Sequence, residues 1–139
     1  MSKINIGRVI MGGLLAGLII NIFEYVLNGV VLHDQWEALV AAHNLPMMGM
    51  NEIIWFNVWG FALGIVAVFT YAAIRPRFGA GAKTAVFAAL LTWVTAYVFC
   101  DGMPTIVGLF PLQLMLTLVG VGLIEIIVAT IAGAWLYKE

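Results

Sequence analysis

The sequence predicts an all-α membrane protein: a four-helix transmembrane bundle, up-down-up-down, with a short interfacial helix on its outer side. Three observations carry this. Hydrophobic residues make up 64% of the 139 residues, charged ones only 9%, and the mean hydropathy is +1.09. A soluble domain is about half apolar and about a quarter charged, so a soluble enzyme, a nucleic-acid-binding protein and a disordered chain are excluded. The apolar residues fall into four long runs, and no stretch alternates with the period of a membrane β-strand. Finally, the six basic residues all lie at the two termini and around the middle connection, with none in the other two connections. The length fits one membrane domain, residues 1–139.

A helix crosses the bilayer core with about 20 residues. The first span is expected over residues 9–32, with the apolar run continuing past any signal-peptide core. The long connection that follows holds a second signal. Asp34 and Glu37 have capping-box spacing, and Trp36, Leu39, Val40 and His43 fall on one helical face. A short amphipathic helix over 34–43 is therefore expected on the outer surface, ended by Asn44 and Pro46. The second span is expected over 53–74, stopping at Arg75-Pro76-Arg77. The third is expected over 82–100, stopping at Asp101-Gly102, and a tight loop to Pro111 follows. The fourth is expected over 112–137.

Lys3 and Arg8 precede the first span, Arg75, Arg77 and Lys83 bracket the middle loop, and Lys138 follows the last span. By the positive-inside rule both termini and the middle loop are expected in the cytoplasm, which makes this a multi-pass protein of a bacterial inner membrane. Trp36, Trp55, Trp59 and Trp135 lie near span ends, where an aromatic belt belongs.

Each span carries one small or polar stripe. In the first it runs Gly13, Gly17, Asn21, Glu24, Asn28, and in the second Asn57, Gly60, Gly64, Ala67, Tyr71. Both contain GxxxG, a close-packing motif that serves either the chain's own bundle or a dimer. The third stripe holds Thr84, Ala88, Thr92 and Thr95, and the fourth Thr117, Gly122, Glu125, Ala129 and Gly133.

Glu24 and Glu125 are the most informative residues, because a carboxylate inside a span is expensive and is a functional candidate by default. Glu24 lies nine residues inside His33, roughly 13 Å from the outer end, and Glu125 lies fourteen inside Pro111, roughly 21 Å. The offset allows a direct contact only if the helix ends are staggered; otherwise a water or Thr92 is the bridge. No Lys, Arg or His stands at either depth. With Asn21, Asn28, Asn57 and Thr92 the two acids form the candidate ion- or proton-coupling set. The alternative role for the same residues is a hydrogen-bonded polar joint between helices.

Other signals are weaker. His33, His43, Met47 and Met48 gather near the outer face and carry Cu(I)-type donors, but without a firm ligand spacing. No His lies well inside a span to ligate a haem. Hydrolase, zinc-protease, Walker and dinucleotide fingerprints are missing, and no Ser follows Ser2. Neither enzymatic activity nor a cofactor is expected. Partners are expected to be the lipid bilayer and other membrane helices, its own or another subunit's.

The stretches GGLLAGLIINIFEYVLNG and YAAIRPRFGAGAKT resemble those of small four-span inner-membrane proteins of bacterial genomes, a resemblance that brings no catalytic residues. Small multidrug resistance transporters share the four short spans and a Glu in the first. Here that Glu stands nearer the outer end and a second occupies the fourth span, so the likeness is one of architecture. Two readings follow: an accessory or structural membrane subunit without chemistry of its own, and a small proton- or cation-coupled carrier working as an oligomer through Glu24 and Glu125.

Overall fold

The computed structural model describes residues 3–138, which contain helices and turns and no strand. Helix α1 runs Ile6–Val31, α2 His33–Ala42, α3 Met50–Phe78, α4 Ala82–Ile106 and α5 Leu112–Leu136. All but α2 are long and apolar enough to cross a membrane. The protein is thus an all-helical, multi-pass bundle.

Local chemistry sets the helix ends. Asn5 starts α1, its side chain accepting from the Arg8 N–H at 3.1 Å. The helix is α-helical to Glu24 and widens into a π-helix over Tyr25–Val31. The chain turns at Leu32, whose N–H already bonds Leu27 O, and α2 begins one residue later. Asp34 therefore sits inside the first turn of α2, not at its cap, and the expected capping box does not form. Glu37 instead meets His33 Nε2 at 3.2 Å. An equivalent bond forms at α3, where Glu52 accepts from the Gly49 N–H at 2.8 Å. The end of α2 is as expected, with Asn44 at φ 53 closing it.

Two proline-bearing segments expected to end their helices do not. Helix α3 continues through Pro76 to Phe78, because a proline in the last turn removes only one helical bond. Gly79 at φ 83 and Gly81 at φ 128 then make the turn to α4, in backbone regions that a side chain rarely adopts. Similarly α4 runs past Asp101-Gly102 and Pro104 to Ile106, with Thr105 donating to Asp101 O at 2.8 Å. The connection to α5 is shorter than the sequence implied. Within α4, Val94–Val98 is a second π-helical segment, and the Thr95 hydroxyl bonds Leu91 O and Thr92 O beside it.

Helix α1 packs on α3 and α5, α4 packs on the same two, and α3 also touches α5. Both GxxxG motifs are consumed by the α1–α3 contact. A Cβ on Gly13 would fall 2.5 Å from Ile65 Cα, one on Gly17 2.6 Å from Phe61 Cα, and one on Gly64 would strike the Gly17 backbone. These faces close the chain's own bundle and are not free for a dimer. On its other side α1 meets α5 through Gly12 and Gly133, again backbone against backbone. Ala16, Ala67, Val68, Ala88, Ala89, Ile126 and Ala129 fill the core between them, each 0% exposed.

Antiparallel helices bring all the described basic residues to one end, here called the basic end. Tyrosines tie it: Tyr137 OH accepts from Asn5 N–H, Tyr71 OH accepts from Gly81 N–H, and the two rings meet edge to face. The Arg75 guanidinium lies 5.5 Å over the Tyr137 ring. At the opposite end α2 folds over the bundle. Trp36 and Leu39 pack on Leu27, Leu32, Leu114 and Leu118, and Trp36 meets Phe110 edge to face.

Candidate functional site

The polar residues of the α2 end form one hydrogen-bonded chain. Trp36 Nε1 donates to Asn28 Oδ1 at 2.8 Å, and Asn28 Nδ2 donates to Glu24 Oε2 at 2.5 Å. Glu24 in turn lies close enough to Glu125 for the two carboxyls to interact. Beneath it, Tyr97 OH donates to Glu125 Oε1 at 2.6 Å. The chain joins α2, α1, α5 and α4, and exposure falls along it as far as Glu125. Trp36, Asn28 and Glu24 are half-buried, whereas Glu125 is 0% exposed.

Helix geometry explains why the two acids meet despite their offset. From the Gly12–Gly133 contact, Glu24 stands twelve residues along α1 and Glu125 eight along α5, an offset of roughly 6 Å. Side chains lean toward the N-terminus of their own helix. In this antiparallel pair that tilt sends Glu24 toward the basic end and Glu125 toward the α2 end, so each reaches for the other. Depths counted from the outer ends exaggerate the gap because those ends are not level.

Tyr97 belongs to the site and was not singled out from sequence. Its ring occupies the space left by Gly122, where a Cβ would come within 2.5 Å of it. Its place in the π-helical segment of α4 is a second clue, since such widenings are frequent at functional sites. As the one tyrosine in α4, facing a glycine three residues before an intramembrane Glu, it carried a usable signal. Asp101, half-buried on α4, also lies within electrostatic range of Glu24.

The remaining sequence candidates are placed elsewhere. Asn21 lies over Gly60 and donates to Asn57 O at 3.1 Å, joining α1 to α3 away from the acids. Asn57 is exposed and bonds back to Ile53 O. Thr92 is buried and bonds Ala88 O at 2.9 Å in its own helix, so it does not bridge the carboxyls. His33, His43, Met47 and Met48 are exposed; His33 pairs with Glu37, and His43 Nδ1 lies 2.8 Å from Leu39 O. Among the described residues, no group of three or more His, Cys, Asp or Glu is placed to hold a metal ion. A crevice of 310 Å³ beneath α2 and one of 170 Å³ beside Tyr71 are both lined by other residues.

A hydrogen bond between two carboxyls requires a proton on one of them. Glu125 Oε2 is buried and has no other partner. A proton on Oε2 makes that atom a donor, and Glu24, which already accepts from Asn28, is the neighbouring acceptor. The carboxylate charge then rests on the less buried of the two acids, where desolvation costs least. Chemically the arrangement can hold or exchange a proton. No protein family, curated protein or solved structure matches the chain.

Proposed function

We propose that the protein is an accessory or structural subunit of a bacterial inner membrane, packing with itself or with a larger membrane complex and performing no chemistry of its own. By the positive-inside rule its basic end and both termini face the cytoplasm. The observation that carries the proposal is the α2-end part of α3. Every residue from 50 to 59 is exposed, Trp55, Phe56 and Trp59 among them, and the exposed Asn57 side-chain amide donates to Ile53 O of its own helix. Polar side chains in spans are usually covered by a neighbouring helix, so a second membrane helix is the natural cover. Native mass measurement after mild detergent extraction tests this. Assemblies heavier than the 15.1 kDa chain, weakened by Asn57→Leu, are expected; a monomer under every mild condition overturns it.

The carboxyl pair favours a second reading, a small proton- or cation-coupled carrier working as an oligomer through Glu24 and Glu125. Growth or cation resistance should then be lost in Glu24→Gln and in Glu125→Gln. Wild-type behaviour from both variants removes this reading.

A further inference from the structure

We propose that Glu24 and Glu125 form a single proton-binding site that exchanges its proton only with the α2 end of the membrane. The proposal concerns occupancy and access; it is compatible with the subunit reading and runs against the carrier reading, because a proton-coupled carrier must open its site to both sides in turn. Its first support is geometric. Glu24 and Glu125 are close enough to interact across α1 and α5, and Glu125 Oε2 is fully buried without a hydrogen-bond partner in the protein. Tyr97 OH already serves Oε1, and Asn28 Nδ2 serves Glu24 Oε2. One proton between the acids completes the set, and nothing bulkier is required.

Access is the second support. Toward the basic end, the bundle closes on the backbone contact of Gly12 with Gly133 and on alanines that are 0% exposed. Toward the α2 end, Glu24, Asn28 and Asp101 are all half-buried. The titratable groups facing the pair come from one element: α4 contributes Tyr97 and Asp101, which lie within electrostatic range of it. On α2 the charged groups nearest by sequence, His33 and Glu37, pair with each other at the surface. Glu52 of α3 is exposed at the helix start, bonded to Gly49. Loading is thus COO⁻ + H⁺ → COOH at Glu24, with Asp101 drawing protons toward it and the shared proton retained on Glu125. A second proton on Glu24 removes the charge that strengthens the Asn28 bond, so the tether from Asn28 to Trp36 of α2 loosens.

A hydrophobic carbodiimide, which attacks only protonated carboxyls, tests this on the full chain in proteoliposomes. Exposed Cys100 reports orientation through an impermeant maleimide. Mass spectrometry of peptides should find one adduct per chain, on Glu24, the acid whose proton exchanges. The labelling rate should fall about tenfold per pH unit once the site empties as pH rises on the α2 side, and it should not respond to pH on the basic side. Tyr97→Phe, which keeps the ring against Gly122, should label faster. The proposal is overturned by no labelling at mildly acid pH, by two adducts per chain, or by a rate that follows the pH of the basic side.

Discussion

The two halves of the bundle are built on different principles. At the basic end, helices meet backbone to backbone through Gly12, Gly13, Gly17, Gly64 and Gly133, and alanines fill what remains. At the α2 end, α1 and α4 widen into π-helices and the contacts are side-chain hydrogen bonds through Trp36, Asn28, Glu24, Glu125 and Tyr97. Lipid supplies no hydrophobic drive between helices, so close packing and polar bonds are the two remaining means of association. The chain uses one in each half. The close-packed half leaves the two intramembrane carboxyls to the half that faces α2.

The contrast breaks most readily at the glycine seam. Gly64→Leu should cost at least about 3 kcal/mol, since the clash is with backbone and the neighbour cannot yield; thermal unfolding in detergent should show loss of the folded form. Next is Tyr97→Phe, which strands Glu125 Oε1 and should cost about 1–2 kcal/mol in the same assay. A smaller effect is expected for Trp36→Phe. It keeps the edge contact with Phe110 but loses the bond to Asn28, about 0.6 kcal/mol, seen as faster proteolysis within α2 and unchanged unfolding of the spans. Thr92→Val should be smallest, under about 0.5 kcal/mol, because its hydroxyl bonds only its own helix. A Thr92→Val effect as large as that of Tyr97→Phe would mean that the acids are bridged through Thr92 after all.

Much of this was legible in the residues. The GxxxG spacing located the seam, because only small residues let helices touch, and that requirement is visible as a period of four. The intramembrane acids stood out for the same kind of reason: their cost in lipid makes them rare. Asn28 was legible as well, one helical turn from Glu24. Tyr97, Trp36 and Asp101 were harder to read, since their part in the site depends on how far α4 and α2 extend. A proline-containing segment at a membrane surface gives no sign of whether its helix continues, because water solvates a freed carbonyl there. The capping box at Asp34 failed similarly, as the π-helical end of α1 moved the turn to Leu32.

The sequence by itself determined the class of protein, the count of spans and the end at which positive charge collects. Each of these depends on transfer energies and helix length, which are properties of local segments. Only the tertiary structure decided that both glycine motifs face each other within one chain, that Asn21 and Thr92 stand apart from the acids, and that Glu24 and Glu125 meet. Those outcomes depend on the axial register of antiparallel helices. Register is set by where backbones lock at the glycine contacts, not by distance from either end of a span.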